Sequence, residues 1–165
     1  MILAFDAQYH PDRSQLGWVA FADWAAATPL GEYHRSFGPA TSYRPGEFFR
    51  RELPLIRAVL SAYELSRIDA LVVDGYVTLD ATGRPGLGQH LYDALGAAVP
   101  VVGVAKSYFR GTHAEEVLRG GSTRPLYVTA AGLPDWRAAE YVRGMAGQYR
   151  MPDLLRRADA LARLG

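Results

Sequence analysis

Cysteine is absent from the 165 residues, which excludes disulfides and any thiolate zinc site. Lysine is nearly absent: Lys106 is the only one, and apart from the histidines every other basic side chain is Arg. Long apolar runs are missing, and no stretch approaches the roughly 20 residues of a membrane-spanning helix. The opening Met1-Ile2-Leu3-Ala4-Phe5-Asp6 meets a charge too early for a secretory signal. Charge of one sign is lacking too: the formal net charge is +1, which neither demands nor excludes nucleic acid. Together these absences read as a soluble, cytoplasmic protein. The bias to Arg suits forked contacts to phosphate, and suits equally a GC-rich genome that prefers Arg codons.

What remains is ordinary for a globular chain, 49% hydrophobic and 21% charged. The length suits one domain, residues 1–165, with a sizeable core. The informative stretch is Ala70-Leu71-Val72-Val73-Asp74-Gly75-Tyr76. Its apolar run reads as a strand buried on both faces. An unpaired Asp inside that core would be costly; at the strand's carboxyl end it is tolerable, because such ends open onto ligand-binding crevices in α/β sheets. Asp74 is therefore the centre of a candidate site.

The chain supplies partners. Ile2-Leu3-Ala4-Phe5-Asp6 is a second apolar run ending in Asp. Strands at 16–24 and 31–37 complete an antiparallel meander. Residues 42–46 form a loop, and 47–64 show helical spacing, with Pro54 expected to kink or restart the helix and Glu52 just before it. A glycine-rich turn at 83–88 precedes a helix over 89–98. Val101-Val102-Gly103-Val104-Ala105 is another buried strand, and it delivers Lys106. Strand, helix and strand in that order give a parallel pair. Residues 110–124 read as a loop or short hairpin, 125–129 as the last strand. Pro134 and Asp135 open one helix, and 154–164 form the final one.

Four carboxylates stand out by position: Asp6, Glu52, Asp74 and Asp135. Hard oxygen ligands of this kind suit Mg2+ or Mn2+, and such ions can activate water for phosphodiester cleavage. Lys106, ending a neighbouring strand, is placed to offset charge on a phosphate. Each has a plainer reading: Asp6 and Asp74 as turn formers or caps, Glu52 as a solvated helix residue, Asp135 as a helix-start Asp, Lys106 as a surface lysine.

At these residues the sequence resembles the endonuclease V family, the deoxyinosine 3′-endonucleases. Phe5-Asp6-Ala7-Gln8-Tyr9 is similar to the family's strand leading to Asp-x-Ser-Tyr. Tyr43-Arg44-Pro45-Gly46 and Arg50-Arg51-Glu52-Leu53-Pro54 resemble its Tyr-Ile-Pro-Gly and Phe-Arg-Glu-x-Pro. Val73-Asp74-Gly75, Gly103-Val104-Ala105-Lys106 and Gly111-Thr112 match in order, as do Ala131-Gly132-Leu133-Pro134-Asp135 and Arg150-Met151-Pro152-Asp153. The resemblance implies an α/β, ribonuclease H-like fold: a central mixed sheet of five or more strands flanked by helices. It implies a metal-dependent endonuclease that cleaves near deoxyinosine or another modified or mismatched base in DNA, or inosine in RNA, using Mg2+ or Mn2+. Carried over, Asp6, Glu52, Asp74 and Asp135 are metal-site carboxylates and Lys106 supports the transition state. Tyr43, Arg44, Pro45 and Gly46 form a wedge that fills the gap left by an extruded base, with Gly75 and Tyr76 beside it. A monomer acting on DNA or RNA is expected.

The sequence also departs from the family. Where Asp-Gly-x-Gly-x-x-His-Pro-Arg is usual, it has Asp74-Gly75-Tyr76-Val77-Thr78-Leu79-Asp80, with Val77 at the second Gly, the His-Pro missing and Asp80 the nearest stand-in for the His. Arg44 occupies an apolar wedge position, and Asp159 lies near the place of a missing last-helix His. These departures motivate an alternative, a nucleic-acid-binding relative with lost or altered catalysis. A small-molecule enzyme using residues 83–88 as a phosphate loop ranks lower, since the stretch matches no P-loop or dinucleotide pattern.

Overall fold

The computed structural model describes residues 1–164. Its centre is a seven-stranded mixed sheet in the order β3-β2-β1-β4-β5-β7-β6. The strands are β1 (Ile2–Tyr9), β2 (Ser14–Phe21), β3 (Gly31–Phe37), β4 (Ala70–Asp74), β5 (Val101–Ala105), β6 (Glu115–Val117) and β7 (Leu126–Ala131). β1 pairs antiparallel with β2 and parallel with β4; β4 and β5 are parallel, and β5, β7 and β6 run antiparallel in turn. The expected α/β sheet with its meander and its parallel centre is therefore present. The 110–124 segment is not a hairpin by itself: it contributes one short strand, β6, which pairs antiparallel with β7 beyond it.

Four helices cover the sheet: α1 (Phe49–Leu60), α2 (Leu87–Ala94), α3 (Asp135–Gly144) and α4 (Asp153–Ala162). Strand alternation sends successive side chains to opposite faces. Leu3, Phe5, Leu71 and Val73 pack with Leu55, Ile56 and Val59 of α1 and Leu91 of α2. Ile2, Ala4, Val72, Val102 and Val104 pack with Ala138 and Val142 of α3 and Leu154, Leu155 and Ala158 of α4. Each fully buried aliphatic side chain contributes roughly 1.5–3 kcal/mol of transfer free energy.

Pro54 does not restart α1. The helix runs through it, so the cost is one missing N–H, and Glu52 lies in the first turn of the same helix. Among the described residues no helix is long and apolar enough to cross a membrane.

Candidate active site

β1 and β4 pair in register from Ile2↔Ala70 to Ala4↔Val72. Two residues further, on the same face, come Asp6 and Asp74. Carrying the register on puts them abreast, two residues past the last paired rung, on strands spaced about 4.8 Å where they pair. Ala4 and Val72 face α4, so both carboxylates do as well, and they line one crevice with Met151, Leu155 and Ala158. Gly75, at φ +104°, turns the chain immediately after Asp74, a backbone conformation that glycine adopts without strain.

Glu52 arrives from the other face. It occupies the first place of a helical stripe continued by Leu55, Ile56, Val59 and Leu60, all buried. Only 2% of Glu52 is exposed, against 7% of Asp6, while the Asp74 side chain is 41% exposed at the rim. The Tyr9 hydroxyl faces Glu52 and interacts with it, while Glu52 Oε1 has no partner at full hydrogen-bond geometry. α1 is anchored to α2 by Phe49, whose ring stacks on His90 at 3.7 Å between centroids; His90 is thus a packing residue. His10, His34 and His113 are exposed.

Burial and mutual repulsion hold these acids back from ionising. Asp6 is pushed up to about 7, first by desolvation and then by Asp74, with Asp159 adding to the rise and Lys106 opposing it. Glu52 is raised well above the ordinary carboxyl range by burial and then by Asp6 and Asp74. Asp74 is raised by desolvation, against the pull of Lys106, whose Nζ lies 4.0 Å from Asp74 Oδ2.

Asp159 is the acid that sequence reasoning left outside the site. It projects from α4 and acts on both Asp6 and Asp74, while Arg163 one turn on holds it with three hydrogen bonds of 3.0–3.1 Å. Its signal was its helical spacing beside Leu155 and Ala158, which face the sheet.

Asp135 does not join the cluster. β7 runs antiparallel to β5 with Ala131 beside Val101, so the α3 start lies at the sheet edge opposite Lys106. There Asp135 Oδ1 accepts the Ala130 N–H at 2.8 Å and closes the β7–α3 turn. It is a structural residue. Asp80 is no substitute for a catalytic His either: its Oδ1 accepts from Thr82 N, Thr82 Oγ1 and Arg84 N, which commits it to its own loop. Val77 is fully buried and fills the space beside Gly88, where a Cβ would come within 2.5 Å of Val77 Cγ2.

Beside Asp74 opens a cavity of about 620 Å³ lined by Tyr43, Pro45, Gly46, Phe48, Phe49, Gly75, Tyr76, Leu79, Arg84, Leu87 and Phe109. The size and the aromatic lining suit a small planar ligand. Three of the four wedge residues reach it. Arg44 does not; it lines a separate outer groove with Thr41, Arg50 and Leu53.

The model of the endonuclease V family matches residues 1–134. The chain belongs to the endonuclease V family. An endonuclease V from Streptomyces coelicolor is 35% identical over 144 residues, covering 73% of this chain, which spans 59% of that relative's length. The crystal structure of endonuclease V from Streptomyces avermitilis superposes with a TM-score of 0.80 at 25% identity, covering 98% of this chain and 79% of that one. A Ciona intestinalis endonuclease V, in complex with DNA containing an inosine followed by a ribo-adenosine, has a TM-score of 0.79 at 16% identity, covering 98% and 84%; that likeness is one of fold. The endonuclease V match takes in Asp6, Glu52, Asp74 and Lys106, whereas Asp159 lies beyond it.

The acids fit a divalent cation by chemistry. They offer oxygen donors only, one of them the buried Glu52 Oε1; burial keeps Glu52 from ionising, and a cation beside it would favour the charged form. Among the described residues no three His, Asp or Glu side chains are drawn together tightly enough to hold an ion as they stand. The set is open, and its side chains must close to share one.

Proposed function

We propose that this chain is a divalent-metal-dependent endonuclease of nucleic-acid repair, cutting a phosphodiester near an extruded base, with deoxyinosine in DNA the first candidate and inosine in RNA the second. The observation that carries the reading is the crevice that Asp6 and Asp74 share, with Asp74 also lining the aromatic cavity and Glu52 buried nearby. The inosine-containing DNA in the Ciona relative is consistent with it.

Asp6, Asp74 and Glu52 would hold Mg2+ or Mn2+, which when bound supplies a Lewis acid and an acidified water. The chain's own groups do the rest. Lys106, beside Asp74, sets a positive charge against the non-bridging phosphate oxygens, where charge grows in the transition state. Tyr43, Pro45 and Gly46 stand at the cavity mouth to occupy the gap in the stack, and the cavity receives the base that left it. Gly75 and Tyr76 form the wall nearest the scissile bond. The raised Asp6 and Glu52 make the site reluctant to carry its full negative charge by itself, so a cation and ionisation favour each other.

The test is a panel of oligonucleotides carrying deoxyinosine, inosine, mismatches or no lesion, incubated with Mg2+, Mn2+ or EDTA. Metal-dependent incision near the lesion, lost in Asp74→Ala, supports the proposal. Val77 and the missing His-Pro favour a second reading, binding without cleavage; lesion-selective binding with no incision in either metal would establish it instead.

A further inference from the structure

The loop after Lys106 carries exposed aromatic surface close to the site. Tyr108 is 64% and Phe109 43% exposed, and contiguous exposed aromatics mark interaction surfaces more often than chance. They are held, not loose. The Tyr76 hydroxyl donates to Ser107 O at 2.7 Å and accepts from Phe109 N at 3.1 Å. The Tyr76 ring lies between Phe109 and Tyr127, at 6.1 and 6.5 Å, and Tyr108 leans on Tyr127 at 5.8 Å. A groove of about 340 Å³ runs here between Asp74, Lys106, Tyr108 and Phe109.

Phe109 lines both this groove and the larger cavity. Asp74, Gly75 and Tyr76 border both as well, so the two spaces adjoin along this wall. A strand whose scissile phosphate lies at Asp74 and Lys106 therefore has two aromatic-lined spaces within reach. Residues 105–114 contain Lys106, Arg110 and His113 and no acid, so the loop's charge suits a polyanion.

Resting on the nuclease reading above, we infer that Tyr108 and the face of Phe109 turned to Lys106 form a second base-stacking site, which takes the unpaired base of the nucleotide adjoining the scissile phosphate on the side away from the cavity. Stacking on an aromatic plane tolerates any base and is worth about 5- to 150-fold in affinity per base on alanine substitution. The site grips the strand without reading it.

The experiment is fluorescence anisotropy of labelled single-stranded deoxyinosine oligonucleotides in Ca2+, on wild-type, Tyr108→Ala and Tyr108→Phe proteins, with an abasic nucleotide walked through the positions flanking the lesion. Tyr108→Ala weakens binding at least fivefold and Tyr108→Phe restores it. At one position the abasic nucleotide and Tyr108→Ala are non-additive, since each removes half of the same stack. A merely structural Tyr108 would give additive losses at every position. If wild type binds and Tyr108→Ala binds equally, or if the losses add everywhere, the stacking site is wrong and the nuclease reading stands. If wild type neither binds nor cuts any oligonucleotide, both fall together.

Discussion

Gly17 on β2 pairs directly with Asp6 on β1, and its missing side chain is what lets α4 lie against the sheet at the site. A Cβ on Gly17 would come within 2.4 Å of Ala162 N and 2.5 Å of Ala158 O, both helix backbone with no room to yield. Gly17→Ala therefore lifts α4, and with it Asp159 and the Leu155 wall of the crevice. Overpacking of this kind costs about 1–3 kcal/mol. Urea unfolding should show that loss, and Mn2+ affinity should fall as the crevice widens.

The acid cluster makes the metal-free protein's stability depend on pH, and the sign follows from Asp6. Its folded value, about 7, lies above the ordinary 3.8, so between these values the folded state binds more protons than the unfolded state. Stability falls as pH rises from about 4 to about 7, and stays at the lower level above that. Glu52 and Asp74 shift in the same direction. Asp6→Asn should raise the stability of the metal-free protein at pH 8 by roughly 1–3 kcal/mol, each pKa unit being worth about 1.4 kcal/mol, and should flatten the pH profile. Thermal melts in EDTA at pH 5 and pH 8 check both.

Lys106 and Asp135 separate chemistry from structure. Lys106→Met removes the charge facing the phosphate and should lower incision by about 10²–10³-fold, while Mn2+ still raises the melting temperature because the acids remain. Asp135→Ala should leave incision within about twofold and cost about 1 kcal/mol of stability through the lost bond to Ala130. Single-turnover incision and denaturant titration distinguish the two. A large loss of incision in Asp135→Ala at unchanged stability would return that residue to the site.

Arg119 underpins the segment that braces Lys106. Its buried guanidinium donates to the carbonyls of Met145, Gly147, Tyr149 and Arg150, and at 3.4 Å to that of Arg143. Arg150, so held, donates to the carbonyls of Lys106, Arg124 and Pro125. Arg119→Met leaves the buried Met145 carbonyl and several partly buried ones without this donor and should destabilise by about 1–3 kcal/mol. Arg150→Met, nearer the surface, should lower incision more than stability, because Lys106 loses its anchor. Comparing the two variants in denaturant and in incision tests this division.

How much of this was legible beforehand depended on whether the signal was local. Apolar runs ending in Asp6 and Asp74 announced two strands each carrying an acid; the parallel pairing of β1 with β4 came from the structure, and strand alternation then fixes which face both acids share. Glu52 was harder. Pro54 drew attention to a break, while the stripe Glu52, Leu55, Ile56, Val59 and Leu60 already spelled a buried helix face. Asp135 was misplaced for a topological reason: strand order alone does not say that β7 runs against β5, and that reversal carries its helix start to the far edge. Asp159 depended on α4 docking over Gly17, a contact between segments far apart in sequence.

The central claim is that Asp6, Asp74 and Glu52 close on one divalent cation. Soaking a crystal in Mn2+ and recording anomalous differences at the manganese edge addresses it most directly. The account predicts a peak bonded to Asp6 and Asp74, with Glu52 turned toward it and Lys106 alongside. No peak in that crevice at millimolar Mn2+, or a peak bound only elsewhere, contradicts it.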